Sequence, residues 1–160
     1  MIHTGKLQLA TPNDTDLVVT RTFNASRQQV FDAHTKPELL RRWLLGPPGW
    51  TMRVCDVDLR VGGAYRYVWE NENGTQMGMG GTYTEVNAPA RLAATEKFDE
   101  SWYPGEATTR TTFVEHDNVT LLTLTVSYES SEARGIAMQA GMTEGLEMGY
   151  ARIDALVASL

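Results

Sequence analysis

Residues 130–160, SSEARGIAMQAGMTEGLEMGYARIDALVASL, form the only stretch long enough and periodic enough to cross a whole domain as one helix. Met138, Met142, Leu146, Tyr150, Ile153, Val157 and Leu160 recur at three- and four-residue spacing and share one helical face. Glu144, Glu147, Ala151, Asp154 and Ala158 fall on the other side. Gly141, Gly145 and Gly149 lie four apart on a ridge beside the apolar stripe. A glycine inside a helix costs about 1 kcal/mol relative to alanine, so three ask for a reason. Close approach of a strand, room for a bound molecule, or a break at Gly141 into pieces 131–140 and 142–160 would each supply one. Glu144, Glu147, Arg152 and Asp154 rule out the membrane-dimer reading of this spacing.

Almost everything before this segment reads as strand. Residues 1–15 look like a loose leader, and 16–160 like a single domain. Residues 17–23 alternate, with Leu17, Val19, Arg21 and Phe23 on one face. Ser26 then caps a short helix, with Gln29 as a capping-box partner. Pro37 opens a second short helix that must stop at Gly46-Pro47-Pro48-Gly49. Six strands follow, near 51–59, 63–70, 76–86, 91–98, 108–115 and 119–128, joined by hairpin-length links except for the longer 99–106 loop. Asn73-Gly74 marks the sharpest of these turns. Short links predict a sequential antiparallel meander. Its apolar face needs cover, and the long helix is the only candidate. The expected fold is therefore α+β: a bent antiparallel sheet of about seven strands gripping a C-terminal helix, with two short helices after the first strand.

Composition narrows the function. A chain of 160 residues with 42% hydrophobic content suits one ordinary core. The net charge of −6 and scattered basic residues argue against nucleic acid and anionic membrane surfaces as partners. No apolar run is long enough to span a bilayer, and the N-terminus has no secretory h-region, so the expected compartment is the cytoplasm. The single cysteine, Cys55, excludes an internal disulfide. His3, His34 and His116 are isolated from other ligand-type residues, so neither a metal nor another cofactor is expected. His34, near the end of a short helix, has a bland explanation in the helix dipole. No nucleophile elbow or Cys–His pair supports covalent catalysis, and no catalytic residue is assigned.

Several ordered signatures carry a family resemblance. They are Thr20-Arg21-Thr22-Phe23 with Val30-Phe31-Asp32-Ala33, Thr35 to Trp43, Asp58-Leu59-Arg60-Val61-Gly62-Gly63, Gly81-Thr82-Tyr83, and Pro89-Ala90-Arg91-Leu92. Together they resemble the helix-grip (SRPBCC) superfamily of START lipid-transfer domains and Bet v-type allergens. Within it, the chain is most similar to the branch homologous to the activator of the heat-shock-protein-90 ATPase, over about 16–156. The resemblance implies a cavity between sheet and C-terminal helix for apolar or amphipathic ligands. It also opens a stress-related chaperone contact. Against that contact, the chain has no room for the extra N-terminal domain of the eukaryotic co-chaperones, and Leu146 follows Gly145 where the branch often has tryptophan.

The residues themselves suggest where a ligand would sit. Arg21 and Glu96 are charges on otherwise apolar strand faces, which must be paired or functional. Each is read either as half of a structural ion pair or as a polar anchor in the cavity. Asp56 and Asp58, on one strand face, read as solvated surface. Tyr65, Tyr67 and Trp69 line one strand, and Met77, Met79 and Tyr83 the next. Trp43 and Trp50 bracket the Gly46–Gly49 loop, and Trp102 sits in the 99–106 loop, where aromatics suit a cavity mouth. With Met138, Met142 and Leu146 these complete the candidate ligand-binding set. The first reading is a non-enzymatic binding protein for a small hydrophobic molecule. The alternatives are a cyclase- or hydrolase-like enzyme using Arg21, Glu96 or a pocket tyrosine, and a chaperone-interaction module. Homodimerisation through a sheet edge or the loop aromatics stays open.

Overall fold

The computed structural model describes residues 6–101 and 103–160. The elements run β1 (Gln8–Ala10), β2 (Asp16–Phe23), α1 (Arg27–Thr35), α2 (Pro37–Trp43), β3 (Trp50–Val57), β4 (Ala64–Asn71), β5 (Gln76–Asn87), β6 (Arg91–Phe98), β7 (Ala107–His116), β8 (Val119–Ser127), α3 (Ser131–Gln139) and α4 (Met142–Ala158). The expected meander is present. One antiparallel sheet has the order β1-β2-β8-β7-β6-β5-β4-β3, so the first long strand closes against the last. The eighth strand is β1, which pairs with β2 inside the stretch expected to be a loose leader. Residues 13 and 16 are also held there, because the Arg134 guanidinium of α3 donates to their backbone carbonyls. Main-chain pairing of this kind leaves little trace in side-chain pattern.

Local chemistry explains the elements. Ser26 and Gln29 form the capping box of α1, each side chain accepting from the other's backbone N–H. Pro37 starts α2. Trp69 Nε1 donates to the Leu44 carbonyl just beyond α2 at 2.7 Å, and Trp43 Nε1 to the Ala33 carbonyl at 2.7 Å. These two indoles satisfy helix-end acceptors that would otherwise be left unpaired. Register shifts at Met52/Val54 and Tyr83/Glu85 bend the sheet around its contents.

The long C-terminal helix is two helices. Gly141, at φ +90°, ends α3 and caps α4, a left-handed conformation that favours glycine. Tyr150, Ile153, Leu156 and Val157 of α4 are buried, whereas Leu160 is exposed. Gly149 has its own cause: a Cβ there would sit 3.1 Å from the Trp43 ring, so the close approach comes from helix α2 rather than from a strand. Nothing in the structure explains Gly145. The core runs from Leu17, Val19 and Phe23 through Phe113, Leu122 and Val126 to α4. Each such side chain contributes about 1.5–3 kcal/mol by leaving water.

Candidate functional site

Between the inner sheet face and the helices lies a cavity of about 160 Å³, partly open to solvent. His34 of α1 and Leu40, Trp43 and Leu44 in and after α2 form one side. Tyr65 and Tyr67 of β4, Met79 and Tyr83 of β5, and Leu92, Ala94 and Glu96 of β6 form another. Thr109 and Thr111 of β7, Leu124 of β8 and Leu146 and Tyr150 of α4 complete it. Strand alternation puts these residues together, since β4 turns Tyr65, Tyr67 and Trp69 inward as a set. Their rings pack tilted and edge-on along the strand, with centroids 5.1 and 5.9 Å apart, and Tyr83 joins Tyr65 at 5.3 Å. The Tyr65 hydroxyl donates to the Thr95 carbonyl at 2.6 Å, which fixes that ring. Tyr83 Oη is buried and makes no well-formed hydrogen bond. Tyr67 lies close enough to pull its pKa down somewhat, yet burial prevails and pushes it up to about 12.

Glu96 is the chemical singularity of this wall. It is partly accessible, because the cavity admits water. Protein atoms nonetheless crowd it, and desolvation alone raises its pKa from 4.5 to about 7. No hydrogen bond or neighbouring charge from the described residues offsets that penalty. Tyr65, Tyr103 and Tyr128 are near enough to feel its charge; burial is the main cause that raises their pKa values, and Glu96 the next. His34 is the second titratable group. Its Nδ1 lies 2.7 Å from the Val30 carbonyl, which can only accept, so Nδ1 carries the proton and Nε2 is an acceptor. Burial lowers its pKa to about 4 and outweighs the Val30 bond. The helix-dipole explanation therefore fails: His34 is neutral, packed on Trp43 and Phe113 at 5.0 and 5.4 Å.

Arg21, the other candidate anchor, is 4% exposed but faces elsewhere. It makes a bidentate pair with Asp154 of α4 at 2.7 and 2.6 Å and lies 4.7 Å from the Phe23 ring centroid. It is a structural ion pair, outside the cavity. Of the other candidates, Trp43, Tyr65, Tyr67, Met79, Tyr83, Glu96 and Leu146 line the cavity. Trp69 is buried behind it on Leu44, Trp50 packs against the core edge, and Met77 is 38% exposed at the sheet surface. Met138 and Met142 are core filler, and Met142 Sδ accepts from the Tyr128 hydroxyl at 3.2 Å. Trp102 lies outside the described residues. Asp56 and Asp58 are exposed, as expected. Among the described residues no three potential ligands gather to hold a metal, and no helix is long and apolar enough to cross a membrane.

Residues 24–158 match the family described as activator of Hsp90 ATPase homolog 1-like protein. The chain belongs to that family. A solved structure from Rhodobacter sphaeroides is 30% identical, with a TM-score of 0.91 over 97% of this chain and 99% of that one. Protein Ms6760 from Mycobacterium smegmatis is 29% identical, with a TM-score of 0.83 over 95% and 97% of the two chains. An AHSA1-like protein from Aeromonas hydrophila, 22% identical, shares the fold at a TM-score of 0.69 over 87% and 93%. No curated protein matches the chain.

Within this activator-homologue-like domain, the cavity also takes in residues outside the candidate set: His34, Leu40, Leu44, Leu92, Ala94, Thr109, Thr111, Leu124 and Tyr150. Most had a signal. Leu92 and Ala94 share the Glu96 face, and Tyr150 lies in the helical stripe one turn beyond Leu146. Thr109 and Thr111 lie between Ala107 and Phe113 on the same inner face of β7, so they are polar groups on an apolar face, like Glu96. His34 had none, because its inward direction depends on how α1 docks.

Proposed function

We propose that this domain binds a compact, largely apolar small molecule between the sheet and α4. The observation that carries the reading is the cavity itself: a mostly apolar, aromatic-rich wall interrupted by one acid that has no partner among the described residues. Sites of this composition use apolar burial for affinity and a few polar groups for orientation. Family membership supports the same reading. The size restricts the occupant. At about 160 Å³ the cavity falls below the roughly 300–1,000 Å³ of ordinary ligand pockets. It matches the scale of an engineered cavity of about 150 Å³ that accepts benzene. A single ring with a short substituent matches the enclosed space, whereas most of a long acyl chain or a sterol would have to lie outside it.

The test is thermal denaturation with single-ring probes, beside the variant Ala94→Leu, which fills the cavity floor where Ala94 is buried. Benzyl alcohol should raise the midpoint of the wild type and leave Ala94→Leu unmoved. Equal shifts, or none in either protein, would refute the site. Native mass spectrometry of freshly purified protein would then name the resident molecule.

A catalytic reading draws on one specific observation: Glu96, protonated near neutrality, and neutral His34 line the same cavity. An acid and a base with displaced pKa values are the components of proton-transfer chemistry. A resident molecule that is converted on incubation, with conversion lost in both Glu96→Gln and His34→Gln, would establish it.

A further inference from the structure

We infer that the ligand of this cavity is a small organic cation, an amine on a single-ring or similarly compact hydrophobic body, with its charge held by the Glu96 carboxylate and the surrounding tyrosine rings. The inference rests on the binding reading above and adds the charge of the ligand.

Three observations carry it. First, Glu96 projects into a cavity with no lysine or arginine in its lining. The buried guanidinium of Arg21 is held by both oxygens of Asp154, and Lys97, next along β6, alternates to the opposite face. A carboxyl in such a place either holds a proton or takes a cation from outside the chain. Second, the groups around it suit a cation and repel an anion. Tyr65, Tyr67 and Tyr83 pack at tilted angles along one wall, with Trp43 and Tyr150 on another. Ring faces carry negative charge density and attract ammonium groups, most strongly when desolvated. Third, the neutral polar groups of the lining, Thr109, Thr111 and the His34 Nε2 acceptor, can take N–H donors. A fatty acid or other carboxylate would find Glu96 and no counter-charge.

The groups that feel the Glu96 charge are Tyr65 from β4, Tyr103 from the loop before β7 and Tyr128 after β8, His34 of α1 shares the cavity and is neutral, and none of these is cationic near neutral pH. Its pKa of about 7 means that, without a ligand, it carries a proton part of the time. A bound ammonium would favour the ionised form and release that proton. Amine affinity must then rise with pH as Glu96 ionises, and a neutral isostere must lack this dependence.

The experiment is calorimetric titration of the whole chain with benzylamine and with benzyl alcohol, nearly equal in shape and differing in charge. Between about pH 5.5 and about pH 7.5 the benzylamine affinity should rise roughly tenfold or more, and benzyl alcohol should change little. The preference for amine over alcohol at the upper pH should fall at least tenfold in Glu96→Gln, with a thermal scan confirming that the variant folds. Alcohol binding without amine binding, or an amine preference indifferent to both pH and Glu96, would overturn the cation assignment and leave the cavity reading intact. Failure of both probes to bind would refute the cavity reading itself. The wild-type pH series decides the matter even if the variant fails to fold.

Discussion

The seam between β2 and α4 and the wall of β6 each place a charge on an apolar face, and the two are resolved in opposite ways. In the seam, Arg21 meets Asp154, 133 residues away in sequence, with both guanidinium arms engaged and an aromatic ring beneath. On β6, Glu96 meets tyrosine rings and open space. The same strand alternation flagged both residues, because period-two patterning reports which face a side chain takes and nothing about what waits there. A buried charge that finds its partner within the chain is architecture. One that finds none among the described residues marks a place for chemistry, and in this fold that place is the cavity wall.

Removing the partner from the seam should have the largest effect. Asp154→Ala would leave the Arg21 guanidinium 4% exposed and without a counter-ion. Breaking a fully buried pair costs about 3–5 kcal/mol. The Asp154 side chain is 41% exposed, so water will soften the loss to roughly 2–3 kcal/mol, read from denaturant midpoints. A loss below about 0.5 kcal/mol would reduce the seam to a surface contact and erase the contrast with Glu96.

The Glu96 wall should respond with the opposite sign. Its carboxyl titrates near 4.5 when unfolded and near 7 when folded, so the native state holds the extra proton in that window. The stability it supports is fully present below pH 4.5 and is lost as pH rises through 7. The full displacement corresponds to roughly 3 kcal/mol, and water in the cavity should reduce this to about 1–2 kcal/mol. Glu96→Gln should therefore be more stable than the wild type at about pH 8 and nearly equal at about pH 4.5. His34 slopes the other way. Neutral when folded, with its pKa lowered from 6.5 to about 4, it costs stability as pH falls through that range. Between the two, the wild-type profile is flattened: Glu96→Gln should expose a slope rising with pH from about 4 to 6.5, and His34→Gln one falling from 4.5 to about 7. Parallel profiles in all three proteins would remove both displaced groups.

The α4 glycines give the smallest and most local test. Gly145→Ala meets nothing within 4 Å and should gain about 0.5–1 kcal/mol. Gly149→Ala places its Cβ 3.1 Å from the Trp43 ring and should forfeit that gain. Because Trp43 also lines the cavity, Gly149→Ala should weaken probe binding where Gly145→Ala does not. Equal behaviour of the two would deny that α2 and α4 meet at Gly149.

Much of this architecture was legible in the chain. The meander, the two short helices and the Ser26–Gln29 cap follow from periodicity and proline placement, whereas a break at Gly141 is only one of three readings that the helical glycines allow. The β1 strand was not, since a three-residue edge held by main-chain bonds has no pattern to show. The site was half legible. Tyr65, Tyr67, Tyr83 and Glu96 were readable from alternation on neighbouring strands. His34 was not, because the inward face of a nine-residue helix is chosen by docking. Arg21 and Glu96 were indistinguishable until Asp154 was placed, because pairing across 133 residues is a property of the fold.

The measurement that bears most directly on the account is the titration of the Glu96 side-chain carboxyl by carbon-13 NMR, assigned by its disappearance in Glu96→Gln. A midpoint near 7 in the free protein, moving downward when benzylamine is added, is the predicted result. A midpoint near 4.5, unmoved by any amine, would show a solvated carboxylate with no more claim to function than Asp56 or Asp58.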